Sequence, residues 1–319
     1  MNVEYDEIAR MLPEPGDPEL SPLRHRQLKE HLMRETSARP RRRRRIRLVA
    51  LLAPVAAGTA ALALTLPSLL GSGSRQENVS YVPAPIIRVP AVSKAKVAPT
   101  LARIADAAAR GPAADAGPHR YTYTKSMVES TRPTDQRTFG GPVEMIALHE
   151  RQTWIPLDLS KETGLSRESG QETTLHSAID ALGYRQLAAL PSDPAALLDR
   201  LYTRQGDRDP GRAFDQIQTL MSEVVVPPAT RAALYRATAL IPGVRVVSDS
   251  QDALGRKGIA VAFDKDGERT EWVFDKTSFA YLGDRDYLIA DSDRGKAGTL
   301  MSASAVQTQT VVDGKGHRP

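Results

Sequence analysis

The sequence predicts an α+β fold: an exported domain with a curved antiparallel sheet and a helical insert, carried behind a single N-terminal transmembrane helix. Three observations carry this prediction. Residues 48–70 contain no charged side chain and follow a block of arginines. Segments of apolar alternation with a period of two stand on either side of a central region whose period is that of a helix. Strands, then helices, then strands describe an antiparallel sheet with an insert.

The apolar run Leu48–Leu70 sets the topology. A helix of that length rises about 34 Å, enough to cross the hydrocarbon core of a bilayer. Arg41, Arg42, Arg43, Arg44, Arg45 and Arg47 stand directly before it, and the first basic residues after it are Arg75 and Arg88. That asymmetry is the membrane-topology signal: it keeps the N-terminus in the cytoplasm and sends the C-terminal part across the plasma membrane. A cleaved signal peptide is the competing reading, with small residues near Gly71–Ser74. Its apolar core would be shorter and its leading segment far shorter than the one here. Gly58 and Leu62 do not form a G-x-x-x-G pair, so no dimer seam is expected.

The formal net charge is +5, and residues 1–47 hold 12 Lys/Arg against 8 Asp/Glu, so most of the excess lies before the span. An arginine run touching a membrane segment neutralises lipid headgroups, and no nucleic-acid partner is expected. The chain has no cysteine, which removes disulfides, thiolate metal sites and cysteine nucleophiles together.

Four regions follow: a cytoplasmic tail (1–47), the span (48–70), a Pro/Ser/Gly-rich tether (71–99) and an extracytoplasmic domain (100–319). The tail reads as two short helices, Val3–Leu12 and Leu20–Arg34, too small to fold without a partner. The tether, with Pro83, Pro85, Pro90 and Pro99, reads as a stiff extended stalk. Thr100–Arg110 is an alanine-rich helix with Leu101, Ile104, Ala105 and Ala108 on one face, stopped by Gly111-Pro112.

Tyr121–Ser130 and Val143–Trp154 read as paired strands around a polar loop, and Gly164–Thr173 as a further polar loop. Ala181–Leu190 and Asp193–Gln205 are predicted helices, the second with Asp193 as N-cap and Pro194 at its first position. Pro210–Val225 places Phe214, Ile217, Leu220 and Met221 on one face, and Ala229–Leu240 ends at Pro242-Gly243. Val244–Ser248, Lys257–Asp264, Glu268–Asp275 and Tyr281–Ile289 read as a meander, and Ser302–Val312 as a strand that closes the sheet.

The run Pro227-Pro228-Ala229-Thr230-Arg231-Ala232-Ala233-Leu234-Tyr235-Arg236-Ala237, leading into Ile241-Pro242-Gly243-Val244 and on through Asp252-Ala253-Leu254-Gly255-Arg256-Lys257-Gly258, resembles an actinobacterial family of single-pass membrane proteins. Members of that family carry locus-tag names and have no assigned activity. Leu190-Pro191-Ser192-Asp193-Pro194, Trp272-Val273-Phe274-Asp275 and Val311-Val312-Asp313 are similar to its flanking segments. Some members lie beside genes for extracytoplasmic-function sigma factors, so the resemblance implies a place in envelope regulation. It carries no functional residues. The His-x-x-x-Cys-x-x-Cys zinc signature of one anti-sigma class is absent, since there is no cysteine.

No residue set predicts catalysis, a metal or a cofactor. The six histidines form no H-E-x-x-H, and there is no G-x-S-x-G elbow or phosphate-binding loop. His149 and Glu150 fall on opposite faces of a strand, poor geometry for chelation. Asp264-Lys265-Asp266-Gly267 suits a hairpin turn better than a calcium loop. Asp284, Asp286, Asp291 and Asp293 read as a solvated acidic loop. Tyr121, Tyr123, Trp154, Trp272, Phe274 and Tyr281 read as core, or alternatively as the wall of a cavity for an apolar ligand.

The expectation is therefore a non-enzymatic, membrane-anchored binding or sensor module. Its partners would be the lipid bilayer and a sigma factor or anti-sigma protein. The alternative is a lipid- or lipoprotein-binding protein or scaffold of the cell envelope.

Overall fold

The computed structural model describes residues 80–319 except 118, 136–140, 160–161, 177–181 and 206–207. The arginine block and the apolar run Leu48–Leu70 lie outside these residues. Among the described residues no helix is long and apolar enough to cross a membrane.

The architecture is α+β: a curved antiparallel sheet with one layer of helices. The strands are β1 (Tyr81–Pro83), β2 (Tyr121–Pro133), β3 (Val143–Pro156), β4 (Gly164–Glu168), β5 (Gln171–Leu175), β6 (Arg245–Gln251), β7 (Lys257–Lys265), β8 (Glu268–Asp275), β9 (Tyr281–Leu288) and β10 (Leu300–Val312). The helices are α1 (Val97–Ala109), α2 (Tyr184–Ala188), α3 (Pro194–Gln205), α4 (Pro210–Glu223) and α5 (Pro228–Thr238). Spatial order runs β5-β4-β3-β2-β10-β9-β8-β7-β6, with β1 added to β3.

The predicted β2–β3 pair forms, from Tyr121↔Pro156 to Pro133↔Val143. The meander β6 to β9 forms in chain order. Asp266 and Gly267 both have positive φ (52° and 84°), the type I′ geometry that their sequence favours.

One expected loop is a hairpin, and one expected helix is shorter. Gly164–Thr173 is not a loop: β4 and β5 make a hairpin there, turning through Ser169 (φ 48°) and Gly170 (φ 74°). Its outer strand carries no apolar alternation because β5 is exposed on both faces. The last strand forms as expected and closes the sheet from within. β10 sits in the middle, pairing with β2 from Ser302↔Ser130 to Val312↔Tyr121 and with β9 at Leu300↔Tyr287 to Ala303↔Arg285. It is the seam between two halves that would otherwise be separate sheets. The helix expected over 181–190 is shorter, Tyr184–Ala188.

Helix starts follow local chemistry. Asp193 Oδ1 accepts from Ala196 N at 2.8 Å. Asp209 Oδ1 accepts from Gly211 N (2.9 Å) and Arg212 N (3.2 Å), with Pro210 at the first helical position of α4. α1 turns Val97, Thr100, Leu101, Ile104 and Ala105 inward, the 3–4 spacing of one face. It packs on α5, which also contacts α3. Ala232, Ala233 and Ala237 let these neighbours approach α5 closely.

The helices cover the β6–β8 half of one sheet face. There Phe214 stacks on Trp272 (centroids 3.9 Å) and on Phe263 (5.4 Å), while Tyr235 meets Phe274 edge-on at 5.5 Å. Leu197, Ile217, Leu234, Val246 and Val261 complete this core. Register puts Val273, Tyr287, Met145 and Ala303 on the opposite face, in two smaller clusters.

That opposite face is crossed by residues 80–96. They are extended, as a proline-rich stalk should be, but seated on the sheet. β1 pairs with β3 at Tyr81↔Ile146. Leu300 N donates to Pro85 O (2.8 Å), Ile87 N to Gly298 O (2.8 Å) and Arg269 Nη1 to Pro90 O (2.9 Å). Ser93 and Val246 exchange both backbone bonds. Ala84, Ile87 and Val89 pack on Met145, Tyr287 and Leu300. The segment is a strap.

Gly298 is what lets the strap lie flat. Its φ is +91°, and a Cβ there would stand 2.1 Å from the Ile87 carbonyl oxygen. Gly298→Ala should cost about 1–3 kcal/mol through backbone strain and lifting of the strap. The checks are a lowered denaturant midpoint and faster proteolytic cleavage within residues 80–92.

Candidate functional site

On the helix-facing side, the β2–β3–β10–β9 half of the sheet carries polar side chains. Register places Thr122, Thr124, Ser126 and Ser130 of β2 beside Thr153, Arg151 and His149 of β3, and opposite Ser302, Ser304 and Gln309 of β10. The hydroxyl residues among them are buried, and Arg151, His149 and Gln309 are half-buried. The C-terminal end of α4 covers part of them: Gln309 Nε2 donates to Ser222 O (3.1 Å), and Val225 N donates to Thr122 Oγ1 (3.0 Å).

Six ionisable groups meet in this half. Arg151 lies between Glu223 Oε1 (Nη1, 3.4 Å) and Glu168 Oε2 (Nε, 3.6 Å). His149 Nε2 is 2.7 Å from Glu168 Oε1, and its Nδ1 is 2.7 Å from Ala147 O. A backbone carbonyl can only accept, so Nδ1 carries a proton. A second proton on Nε2 completes the contact with Glu168 and makes the ring an imidazolium. Asp284, fully buried, accepts from Tyr281 OH (2.6 Å) and Ser304 Oγ (3.0 Å). Asp286 accepts from Thr270 Oγ1 (2.5 Å) and Ser302 Oγ (2.6 Å). The sequence reading put these two aspartates in a solvated loop. They point inward because β9 runs on through them, and the serines of β10 replace water as their donors. Asp291 and Asp293, beyond the strand, are exposed as expected.

Burial pushes the Glu223 carboxyl up to about 7; Arg151 opposes this, and the charges of Asp284 and Glu168 add to it. Burial and the neighbouring Asp284 likewise push Asp286 up to about 7. For His149, burial alone would lower the pKa, but the bonds to Glu168 and to the Ala147 carbonyl raise it overall. Burial would raise Glu168, and His149 and Arg151 bring it below the usual carboxylate range.

The signs agree between pH 5 and 7.5. A folded state that holds Glu223, Asp286 and His149 protonated binds more protons there than the unfolded chain, so stability falls as pH rises through that window. Glu168 acts oppositely, but only below the ordinary carboxylate range. We expect the Glu223 contribution alone to be roughly 3 kcal/mol between its ordinary pKa and pH 7.5. Glu223→Gln should flatten the slope of urea midpoint against pH.

The chamber among Thr124, Arg151, Thr153, Glu223, Ser304 and Val306 has a volume of about 10 Å³. That is water-sized and too small for an organic ligand. Thr124 Oγ1, Thr153 Oγ1 and Arg151 Nε are buried there without a hydrogen-bond partner.

The network reaches the surface at one place. β1 pairs with β3 at Glu144–Ile146 and β4 pairs with it at Arg151–Trp154, leaving an interval of β3's outer edge between them. A groove of about 450 Å³ opens there, lined by Leu148, His149, Glu150, Arg167, Glu168 and Arg318 among others. Leu148 is 38% exposed. The His149–Glu168 pair forms part of this lining and also touches half-buried Arg151, which in turn touches Glu223 at the end of α4.

Of the residues singled out in the sequence, Arg41–Arg45 and Arg47 lie outside the described residues. His149 and Glu150 take separate partners, Glu168 for the first and Lys125 (2.8 Å) for the second. Among the described residues no group of three metal-ligating side chains converges. Trp272, Phe274 and Tyr281 pack in the helical core, and Tyr121, Tyr123 and Trp154 on the opposite face.

Arg151, Glu168 and Glu223 were missed because 72 residues separate the outer two in the chain. The available signal was the run of hydroxyl residues at alternate positions of β2, unusual for a buried strand face. No protein-family profile, curated protein or solved structure matches this chain.

Proposed function

We propose that the chain is a single-pass, membrane-anchored extracytoplasmic binding module. In this reading it recognises a polypeptide at the β3 groove and modulates an envelope regulator, such as a sigma-factor system. The carrying observation is the interrupted pairing along β3. An exposed strand edge flanked by Arg167, Arg318, Glu150 and Leu148 offers backbone bonds together with charge and apolar anchoring, which suits an extended peptide. The charge order of the arginine block and the apolar run Leu48–Leu70 support the anchor and its orientation. The lipid-carrier alternative calls for an apolar chamber, whereas the groove and the inner chamber are both rich in polar side chains.

The absence of cysteine makes the test direct. Leu148→Cys, labelled with a photoactivatable benzophenone in full-length protein in its native membrane, should cross-link a regulator polypeptide. Arg167→Glu should abolish the adduct. Retention of the adduct after replacement of residues 1–38 would restrict the function to the outer face. Lipid adducts alone would favour the carrier, and no adduct a scaffold.

A further inference from the structure

The outward side of the strap has a composition unlike the rest of the surface. No Asp or Glu occurs from Asn78 to Ala105, while Arg88, Lys94 and Lys96 lie within the strap and are exposed. Of the seven exposed large hydrophobic residues among the described residues, three lie on the strap with no ring partner of their own, Val82 (41%), Ile86 (66%) and Val92 (37%), whereas Tyr81 shares the face of Ile146 and lies under Arg132. The inward residues Ala84, Ile87 and Val89 already satisfy the sheet. The outward ones are thus not required by the fold. Pro83, Pro85 and Pro90 hold the segment extended and lack N–H donors, so they present little backbone polarity to an apolar neighbour.

Position narrows the partner. Nine residues, 71–79, separate the predicted span from Ser80. Fully stretched, they reach at most about 30 Å. The start of the strap is therefore confined near the bilayer surface if the span is inserted. Aliphatic side chains and cations in a segment that carries no Asp or Glu match the headgroup zone of an anionic leaflet.

We propose that the strap is a membrane-surface contact: residues 80–92 lie against anionic phospholipid headgroups and hold the strap-bearing face of the sheet toward the bilayer. This inference rests on the anchored reading above. It goes beyond that reading by assigning the domain's orientation.

The experiment uses nitroxide labels on single cysteines introduced into the full-length, cysteine-free protein in nanodiscs of mixed anionic and zwitterionic phospholipid. Ile86→Cys and Val92→Cys should be more accessible to oxygen than to a water-soluble nickel chelate. Leu240→Cys, at the end of α5, should show the reverse, and Leu62→Cys in the span should read as deep lipid. Replacing Arg88, Lys94 and Lys96 by Glu should return position 86 to water-like accessibility. Water-like values at 86 and 92 with Leu62 in lipid would overturn the surface contact and leave the anchor standing. Leu62 in water would overturn both. Positions 86 and 92 shielded from both relaxants would mean that protein, and not lipid, covers the strap, and would also overturn the proposal.

Discussion

Trp272→Ala should be among the most destabilising single changes in the domain, lowering its unfolding free energy by about 3–5 kcal/mol. The indole is fully buried and lies 3.9 Å from the Phe214 ring at an interplanar angle of 19°. Its removal leaves a cavity where α4 meets β8, and the neighbouring Phe214 and Phe263 rings are too tightly held to collapse into it. Trp272→Phe should behave differently. The indole Nε1 is buried with no hydrogen-bond partner, and burying such a donor costs about 1–3 kcal/mol. Phenylalanine keeps most of the stacked area and removes that cost. Urea titration of both variants at one pH decides it. A Trp272→Phe loss as large as that of alanine would show that the N–H is satisfied in solution.

Arg151→Met should cost about 3–5 kcal/mol at neutral pH, because it strips the guanidinium from between two carboxylates and leaves Glu223 desolvated without a charge partner among the described residues. Glu223→Gln should match wild type near pH 4.5 and be the more stable of the two at pH 7, by up to roughly 3 kcal/mol, because the wild-type carboxyl must take up a proton to stay buried and the amide need not. The double variant should recover part of the Arg151→Met loss, giving a coupling between sites that only contact explains. Additive losses would mean that the two side chains do not meet. Moving to pH 5.5 should narrow the gap between Arg151→Met and wild type, since protonation removes the stranded charge at residue 223.

Much of the fold was legible from local chemistry. Asp193-Pro194 set the start of α3, Asp266-Gly267 set a hairpin, and the alternation in Tyr121–Ser130 set a strand. These signals are local because the forces behind them act over a few residues. Strand order is not local. Nothing in Ser302–Val312 distinguishes a central strand from an edge strand, since its alternating small, hydroxyl and apolar residues suit either. The β4–β5 hairpin was passed over because Gln171-Glu172-Thr173-Thr174 offers no apolar face; the Ser169-Gly170 turn was the clue. The buried carboxylates were misread for a related reason. Asp284 and Asp286 look like surface residues until their partners Ser304 and Ser302 arrive from another strand.

The central place of β10 also has a consequence for biogenesis. On the ribosome, β2 is finished 167 residues before the strand that pairs with its inner edge begins. At about 5–20 residues per second, that is an interval on the order of ten seconds or more. Throughout it, the N-terminal hairpin and the later meander each expose an unfinished margin able to recruit any passing strand. Completion of the sheet is therefore timed by the last dozen or so residues to be paired.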